Sequence, residues 1–333
     1  MKGSGKLVKS LVCLVILLSA FSPSLAQKKS KNEKSTKSST FARPVIWERV
    51  NIREQDLFWG PGGTRMRPNL SRITLIKEEK GGASKKYRIE DGSGREWIAK
   101  IDPESQAETA AVRLLYALGY KTEINYLVPR ITIPGKGTFS NVRLEARPEN
   151  VDREERWKWN ENPFVGTNEL QGLKIMMAFL NNWDLKNPGN NITLLTDGRR
   201  GKELHYVVSD LGATFGKTGN SKIFGPLSFI FWRFTRSKNN PGDYSRSKFI
   251  DEVEEDGYLD LAYGGRNTNL LEDISVSHGR WLANLLNQLS NKQIEDAFRA
   301  ANYTPAEIRV LSQAVKNRIR ELDRTTRQFQ AVR

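Results

Sequence analysis

Residues 180–195 of the chain read Leu-Asn-Asn-Trp-Asp-Leu-Lys-Asn-Pro-Gly-Asn-Asn-Ile-Thr-Leu-Leu, and residues 205–216 read His-Tyr-Val-Val-Ser-Asp-Leu-Gly-Ala-Thr-Phe-Gly. The first stretch carries Asp184 before a Pro-Gly turn and Asn191 after it, at the start of an apolar run. The second carries Asp210 at the end of a strand-like run, directly before Leu-Gly. Phosphoryl transfer needs such groups, because one carboxylate positions the attacking hydroxyl while an asparagine and a second carboxylate hold magnesium on the phosphates. Phosphoryl transfer is therefore the first hypothesis.

The same stretches resemble the catalytic core of protein kinases. Asp184-Leu-Lys186, followed by Asn191, is similar to a kinase catalytic loop with two extra residues before the asparagine. Asp210-Leu-Gly resembles the magnesium-binding motif that follows this loop. The closer resemblance is to the atypical branch of the kinase-like superfamily, which includes HipA-type kinases, spore-coat CotH kinases, secretory-pathway kinases and type II phosphatidylinositol kinases. As in that branch, the usual His-Arg pair is absent or altered, and Trp183 stands where kinases usually have arginine.

The resemblance implies a role for each side chain. Asp184 would act as catalytic base or hydroxyl-positioning carboxylate, and Lys186 would neutralise the transferring phosphate. Asn191, with Asn190 as the alternative, and Asp210 would bind the metal. The implied cofactors are ATP or another nucleoside triphosphate, together with Mg2+ or Mn2+. Taken without the resemblance, the first stretch also fits a plain Asn/Pro/Gly-rich turn, and Asp210 fits a strand-end turn aspartate.

A second group of candidate residues lies upstream, in a predicted strand and helix. Trp97-Ile-Ala-Lys100 resembles the kinase strand whose lysine contacts the nucleotide phosphates, although a solvated strand-end lysine is the alternative. In kinases a helix glutamate pairs with this lysine. Glu108, which precedes an apolar run, is favoured over Glu104, which lies in the first turn. Ser84 ends a Gly-Gly-Ala-Ser turn and is the candidate hydroxyl contact to phosphate, but a plain hairpin turn fits this segment equally well.

The order of the predicted elements indicates an α+β, bilobal protein-kinase-like fold. Residues 45–148 are predicted to form a small β-rich N-lobe, with a hairpin turn beginning at Asp91 and a helix opened by Pro103. Residues 149–326 are predicted to form a larger and mostly helical C-lobe, followed by a tail at 327–333. The resemblance extends over roughly this whole region, although its distinctive residues occupy a small part of it.

Local patterns also predict individual elements within the lobes. Short strands are expected at 126–129 and at 130–133. Capping boxes that begin at Ser290 and at Thr304 predict the starts of two late helices, because a serine or threonine followed by Gln or Glu three residues later satisfies the first backbone amides of a helix.

The first 26 residues have the pattern of a secretory signal peptide. A basic start precedes the apolar core at 11–21, and Ser-Leu-Ala before Gln27 fits signal cleavage. This apolar run is too short to span a bilayer comfortably, so cleavage is expected rather than an uncleaved membrane anchor. Residues 27–44, rich in Ser and Lys, are expected to form a disordered basic linker. The sequence therefore predicts a secreted or periplasmic protein with no transmembrane span after signal cleavage.

The chain is basic, with 53 Lys and Arg against 38 Asp and Glu and a formal net charge of +15. This balance suits an anionic partner such as a nucleotide, a phospholipid headgroup, an anionic polymer or an acidic protein. The sequence has no nucleic-acid-binding motif, so a nucleic-acid partner is not expected. Cys13, the single cysteine, lies in the predicted signal peptide, which excludes disulfide and thiolate chemistry from the mature chain.

The resulting hypothesis is an exported kinase-like phosphotransferase that binds a metal–nucleotide complex between two lobes. It would transfer a phosphoryl group to an unidentified hydroxyl acceptor, which could be anionic or associated with the cell envelope. Two alternatives stay open: a catalytically inactive kinase-fold module that binds nucleotide, and a basic envelope protein that binds an anionic polymer. The presence of Lys100, Asp184, Asn191 and Asp210 together favours the active enzyme, because inactive kinases commonly lose at least one of these groups.

Overall fold

The computed structural model describes residues 42–81, 84–189, 191–199, 201–219 and 233–332. The predicted signal peptide, most of the predicted linker and the alternative metal ligand Asn190 lie outside the described residues. Within the described residues, strands dominate up to Ala146 and helices dominate from Asn168 onward. This arrangement confirms the expected α+β architecture with a β-rich lobe and a helical lobe.

A five-stranded antiparallel sheet forms the N-terminal lobe. Its strands are β2 (Thr74–Glu79), β3 (Lys85–Glu90), β4 (Glu96–Ile101), β5 (Asn125–Ile133) and β6 (Gly137–Ala146). They lie side by side in the order β2-β3-β4-β6-β5. Tyr87 and Ile89 alternate with more exposed neighbours along β3 and are buried under one face of the sheet. The turn after β3 is fixed by Asp91, whose carboxylate accepts hydrogen bonds from the Ser93 amide at 2.8 Å and from the Trp97 indole at 3.0 Å.

Strand β5 is continuous across Pro129, so the prediction of two separate strands was wrong. The pairs Val128–Val142 and Arg130–Ser140 flank the proline on the side where β5 meets β6. β5 is the last strand in the order across the sheet, so it has a neighbour on one side. Proline lacks the amide hydrogen that a ladder needs, but an edge strand tolerates this loss where the residue points away from its single neighbour.

The helix of the N-terminal lobe, α1 (Ser105–Ala117), follows β4 directly. It packs against β5, β6 and a helix of the C-terminal lobe, and its buried residues include Ala107, Ala111 and Leu114. Gly119 ends the turn after α1 with a φ of +93°, and a Cβ there would lie 2.1 Å from a backbone oxygen. Glycine is therefore required at the point where the chain leaves α1.

The helical lobe packs its helices around one apolar core. The helices are α2 (Asn168–Phe179), α3 (Pro241–Arg246), α4 (Val276–Leu286), α5 (Asn291–Ala300) and α6 (Pro305–Val332). Both predicted capping boxes are confirmed: Ser290 accepts from the Gln293 amide at 3.2 Å, and Thr304 accepts from the Glu307 amide at 3.3 Å. No helix in the described part of the chain is long and apolar enough to cross a membrane.

A second sheet lies at the junction of the two lobes. Its strands are β1 (Arg43–Val45), β7 (Asp152–Arg153), β8 (Asn191–Gly198) and β9 (Gly201–Val208), in the order β1-β9-β8-β7. β8 and β9 form a hairpin, and β1 runs parallel to β9. The remaining short elements are the pair β10 (Ile250–Val253) and β11 (Leu259–Leu261), and the 3-10 helices Ile52–Glu54, Gly60–Gly62, Thr64–Met66 and Thr268–Leu271.

Candidate functional site

Backbone contacts after helix α2 determine where Asp184 lies. The chain turns at Asn181, which has a left-handed φ of 53°. The Trp183 amide then donates a hydrogen bond to the Ala213 carbonyl at 3.3 Å. This bond holds the loop that carries Asp184 beside the segment that begins at Asp210, so two regions that are distant in sequence meet.

The hairpin β8–β9 brings Asn191 close to the same segment. Asn191 opens β8 and is the cross-strand partner of Val208, which lies two residues before Asp210. Its side chain is buried, and its Nδ2 donates to the Trp157 carbonyl at 3.3 Å. Among the described residues, its Oδ1 has no hydrogen-bond partner. A buried amide oxygen without a partner costs free energy, and amide oxygens are ligands that Mg2+ accepts, so Asn191 fits a metal-binding role.

Asp184 is held between two cations. Lys186 Nζ lies 2.6 Å from Oδ2, and Arg266 Nε lies 3.0 Å from Oδ1. The Asp184 side chain is 15% exposed, whereas those of Lys186 and Arg266 are 36% and 43% exposed. The carboxylate is therefore less exposed to solvent than the two cations that contact it. One of these cations is the candidate residue Lys186.

Lys100 lies at the end of β4 with its charge buried among carboxylates. Its Nζ is 3.0 Å from Glu108 Oε2, 3.4 Å from Asp102 Oδ2 and 3.7 Å from Glu104 Oε2. Burial by itself would lower the pKa of Lys100, but Glu108, Asp210 and Asp102 outweigh this effect and raise the pKa above its ordinary value. Lys100 therefore keeps its positive charge at neutral pH.

The geometry favours Glu108 over Glu104 as the partner of Lys100. Glu108 is 1% exposed and has the shorter contact with the ammonium group. Complete burial raises the pKa of Glu108 to about 6, against the opposing attraction of Arg143 and Lys100, so the carboxylate is still mainly ionised at pH 7. Glu104 is more exposed and also contacts Lys238 of the C-terminal lobe. Glu104 thus connects the lobes while Glu108 holds the lysine.

Asp210 faces this cluster from the C-terminal lobe. It is one of the carboxylates that raise the pKa of Lys100, and the Gly212 amide donates to its Oδ1 at 3.4 Å. A Cβ on Gly212 would lie 2.6 Å from the Glu104 Cβ, so a side chain there would push the lobes apart. The glycine of the Leu-Gly that follows Asp210 is therefore required by packing, because it allows the start of α1 to lie against this segment.

Ser84 reaches the cluster indirectly, through Asp102. Burial tends to raise the pKa of Asp102, but Lys100 and a hydrogen bond from the Ser84 hydroxyl lower it below its ordinary value. Gly82 and Ala83, which precede Ser84 in the sequence, lie outside the described residues. Ser84 is therefore tied to the carboxylate that lies beside the lysine.

Three residues of the site carried no recognised signal in the sequence. Asp102 follows β4 and contacts Lys100, and its place directly after the Trp-Ile-Ala-Lys strand was an available clue. Arg143 is the cross-strand partner of Lys100, and its Nη2 lies 3.1 Å from Glu108 Oε1. Arg266 comes from a distant loop of the helical lobe. The last two positions depend on strand register and loop packing, which no local pattern encodes.

The two sides of the site carry complementary chemistry. Lys100 is a buried cation of the kind that binds phosphate oxygens, and Asn191 and Asp210 carry side-chain oxygens of the kind that could bind a divalent metal. The described residues include no cluster of three or more His, Cys, Asp and Glu that could hold a metal ion by themselves.

Comparisons with known proteins give low similarity. No family model matches the chain, and a search of curated proteins found no match. Among solved structures, the chain is similar to a Helicobacter pylori proinflammatory kinase, CtkA, with a TM-score of 0.46 and 9% identity, covering 78% of this chain and 97% of that one. It is also similar to a Rio2 kinase–ADP/Mg2+–phosphoaspartate complex from Chaetomium thermophilum, with a TM-score of 0.29 and 10% identity, covering 74% and 71%. Both neighbours are kinases, at identities too low to transfer residue roles.

Proposed function

We propose that this protein is a kinase-like phosphotransferase that binds a Mg2+– or Mn2+–nucleotide complex, ATP or another nucleoside triphosphate, between its two lobes. The observation that carries the proposal is the buried Lys100–Glu108 ion pair, with Nζ and Oε2 at 3.0 Å, which lies near enough to Asp210 for that carboxylate to raise the pKa of Lys100. In kinases, a lysine held by a helix glutamate binds the nucleotide phosphates, and a strand-end aspartate binds the metal on those phosphates. Lys100, Glu108 and Asp210 would have these roles here.

In this proposal, each lobe contributes different groups. Lys100 contacts the nucleotide phosphates, Glu108 orients the lysine, and Ser84 contacts phosphate from the turn before β3. Asn191 and Asp210 would hold the metal, which supplies charge neutralisation on the phosphates when it is bound. The buried Oδ1 of Asn191, without a partner among the described residues, supports this assignment.

The proposed transfer step takes place at Asp184. The acceptor oxygen forms a bond to the terminal phosphorus, the bond from that phosphorus to the leaving nucleoside diphosphate breaks, and the hydroxyl proton passes to Asp184. Lys186, whose Nζ lies 2.6 Å from Asp184 Oδ2, would neutralise charge on the phosphoryl group during transfer. Before that step, Asp184 orients the acceptor hydroxyl.

The test of this function is metal-dependent nucleotide binding followed by turnover. Millimolar ATP should raise the unfolding temperature of the purified protein only when Mg2+ or Mn2+ is present, because a ligand at a hundredfold excess over its Kd stabilises by about 2.7 kcal/mol. The same samples should release ADP. Binding without ADP release would indicate an inactive nucleotide-binding module. The absence of any shift, with several nucleotides and both metals, would indicate a basic protein with another anionic ligand and would refute the proposal.

We also propose that the protein acts outside the cytoplasm, after cleavage at Ala26. The basic start and apolar core of the first 26 residues support this proposal. Mass spectrometry of the protein recovered from its natural source should give a chain that begins at Gln27. Recovery of a chain that begins at Met1 would contradict export by cleavage.

A further inference from the structure

The charged groups around Asp184 are predominantly cations. Besides Lys186 and Arg266, the guanidinium of Arg236 lies over the Trp183 ring, 4.0 Å from its centroid. Burial lowers the pKa of Arg236, and the nearby positive charge of Arg266 lowers it further, while Asp184 opposes this trend. One recessed carboxylate is thus surrounded by several positive charges.

The chain that follows Asp210 has the same charge bias. Between Asp210 and Asp243 the sequence contains no Asp or Glu. The cations of this stretch are Lys217, Lys222, Arg233, Arg236 and Lys238. Phe234, which is 81% exposed, lies between two of these arginines in the sequence. Of these cations, Arg236 is the one that contacts the residue next to Asp184, through the Trp183 ring.

Arg266 is fixed beside Asp184 independently of their ion pair. Its amide donates to the Trp183 carbonyl at 2.9 Å. On either side of it, the Tyr263 hydroxyl donates to the Asn182 carbonyl at 2.8 Å, and Asn267 Nδ2 donates to a backbone carbonyl of the same loop at 2.6 Å. If the guanidinium of Arg266 released Asp184, the backbone of Arg266 would remain in place against the loop that carries Asp184.

These contacts create a requirement for the acceptor. Arg266 lies against Oδ1 of Asp184 and Lys186 lies against Oδ2, so both oxygens face a cation when a hydroxyl approaches. A carboxylate on the acceptor can take the place of Asp184 against Arg266, because the guanidinium fork binds one carboxylate as well as another. Asp184 Oδ1 then becomes available to the hydroxyl.

We infer that the acceptor is a segment of protein in which carboxylate side chains flank the reacting serine or threonine hydroxyl, an inference that rests on the proposed function. The flanking carboxylates bind Arg266 and Arg236. Because an acceptor carboxylate replaces Asp184 as the partner of Arg266, binding of the acceptor also releases Asp184. An acceptor with neutral flanks leaves Arg266 on Asp184 and reacts slowly. The charge complementarity also raises the rate of association.

The experiment uses fluorescently labelled short peptides with one central serine. The first peptide has Asp and Glu flanks, and the second has the matching Asn and Gln flanks. Fluorescence anisotropy with the purified protein should give at least about tenfold tighter binding of the acidic peptide, as expected for one charge-assisted contact, and the difference should shrink as salt is added. Equal affinity for the two peptides would overturn the inference.

Arginine variants test the residues that are involved. Arg266→Gln and Arg236→Gln should each weaken binding of the acidic peptide about tenfold and leave that of the neutral peptide unchanged. Arg327→Gln, at an exposed arginine that pairs with Asp323 on α6, is the matched control and should change neither. If Arg266→Gln does not fold, Arg266→Lys keeps the charge without the fork and should show a smaller loss. Unchanged binding in both folded Gln variants would refute the assignment.

Two further readouts separate this inference from the proposed function. ADP release that is equally fast with acidic and neutral peptides would refute acceptor selectivity while the phosphotransferase function stood. Acidic-peptide binding without any nucleotide binding would refute the function, and the acceptor role with it. Binding to anionic vesicles in preference to the acidic peptide would replace the protein acceptor by a lipid headgroup and overturn the inference.

Discussion

Replacement of Lys100 by methionine is expected to weaken nucleotide binding by one to two orders of magnitude. Lys100 is 6% exposed and places a buried positive charge near Asp210, whose carboxylate raises the pKa of the lysine. A hydrogen bond to a charged group contributes about 1.5–3 kcal/mol, which corresponds to a loss of about 10- to 100-fold in affinity. Methionine has a similar length and no charge, so the change removes the cation with little loss of packing.

Replacement of Glu108 by glutamine should have a smaller effect. Lys100 would keep Asp102 at 3.4 Å and Glu104 at 3.7 Å, and Arg143 would keep its contact with Glu145 at 3.0 Å. The expected loss is about 1 kcal/mol, or about fivefold, because the lysine stays charged and loses its best orienting contact.

The double variant measures whether the two residues act together. If Glu108 acts through Lys100, the double variant should bind within about twofold of Lys100→Met alone, since coupled residues are not additive. Calorimetric titration with ATP and Mg2+ gives the three affinities, and thermal unfolding checks each fold. Lys292→Met, at a 79% exposed lysine, is the matched control and should bind normally. Losses that multiply in the double variant would refute the proposed pairing.

Further predictions concern the metal, the transfer step and pH. Asp210→Ala should abolish the metal-dependent part of nucleotide binding, whereas Asp184→Ala should retain most of this binding and lose turnover. Thermal shifts with nucleotide measure the binding, and ADP release measures the turnover. Equal loss of nucleotide binding in both variants would contradict the division of roles. Burial, and then the neighbouring charge of Glu145, raise the pKa of Glu123 to about 7. A raised carboxyl pKa stabilises the fold below its unfolded value near 4.5, and this contribution is lost as pH rises through about 7. The unfolding free energy should therefore fall more steeply with rising pH in the natural protein than in Glu123→Gln over this range, and parallel curves from urea titrations would contradict it.

The sequence determined the local parts of this protein. Turn formation at Asp91, the helix after Pro103 and the two capping boxes depend on interactions between residues a few positions apart, and the structure contains all of them. The same holds for the placement of Asp210 after a strand. These features follow from backbone propensities and short-range hydrogen bonds, which the linear order of residues encodes directly.

The continuity of β5 shows where local signals mislead. Pro129 reads as the end of a strand, because proline cannot donate to a ladder. The strand tolerates this proline because β5 lies at the edge of its sheet. The position of a strand within its sheet is a property of the whole lobe. The pairing of β1 with β9 is of the same kind, since Val45 meets His205, which lies 160 residues further along the chain.

Only the tertiary structure decided which charges meet. Strand register placed Arg143 opposite Lys100 and against Glu108, and loop packing in the helical lobe placed Arg266 against Asp184. Neither contact has a sequence signal, because a shift of one residue in register would turn Arg143 to the other face of the sheet. Charged residues that are far apart in sequence become partners only when folding excludes water and fixes their distance, so the residue types came from the sequence and their pairing came from the fold.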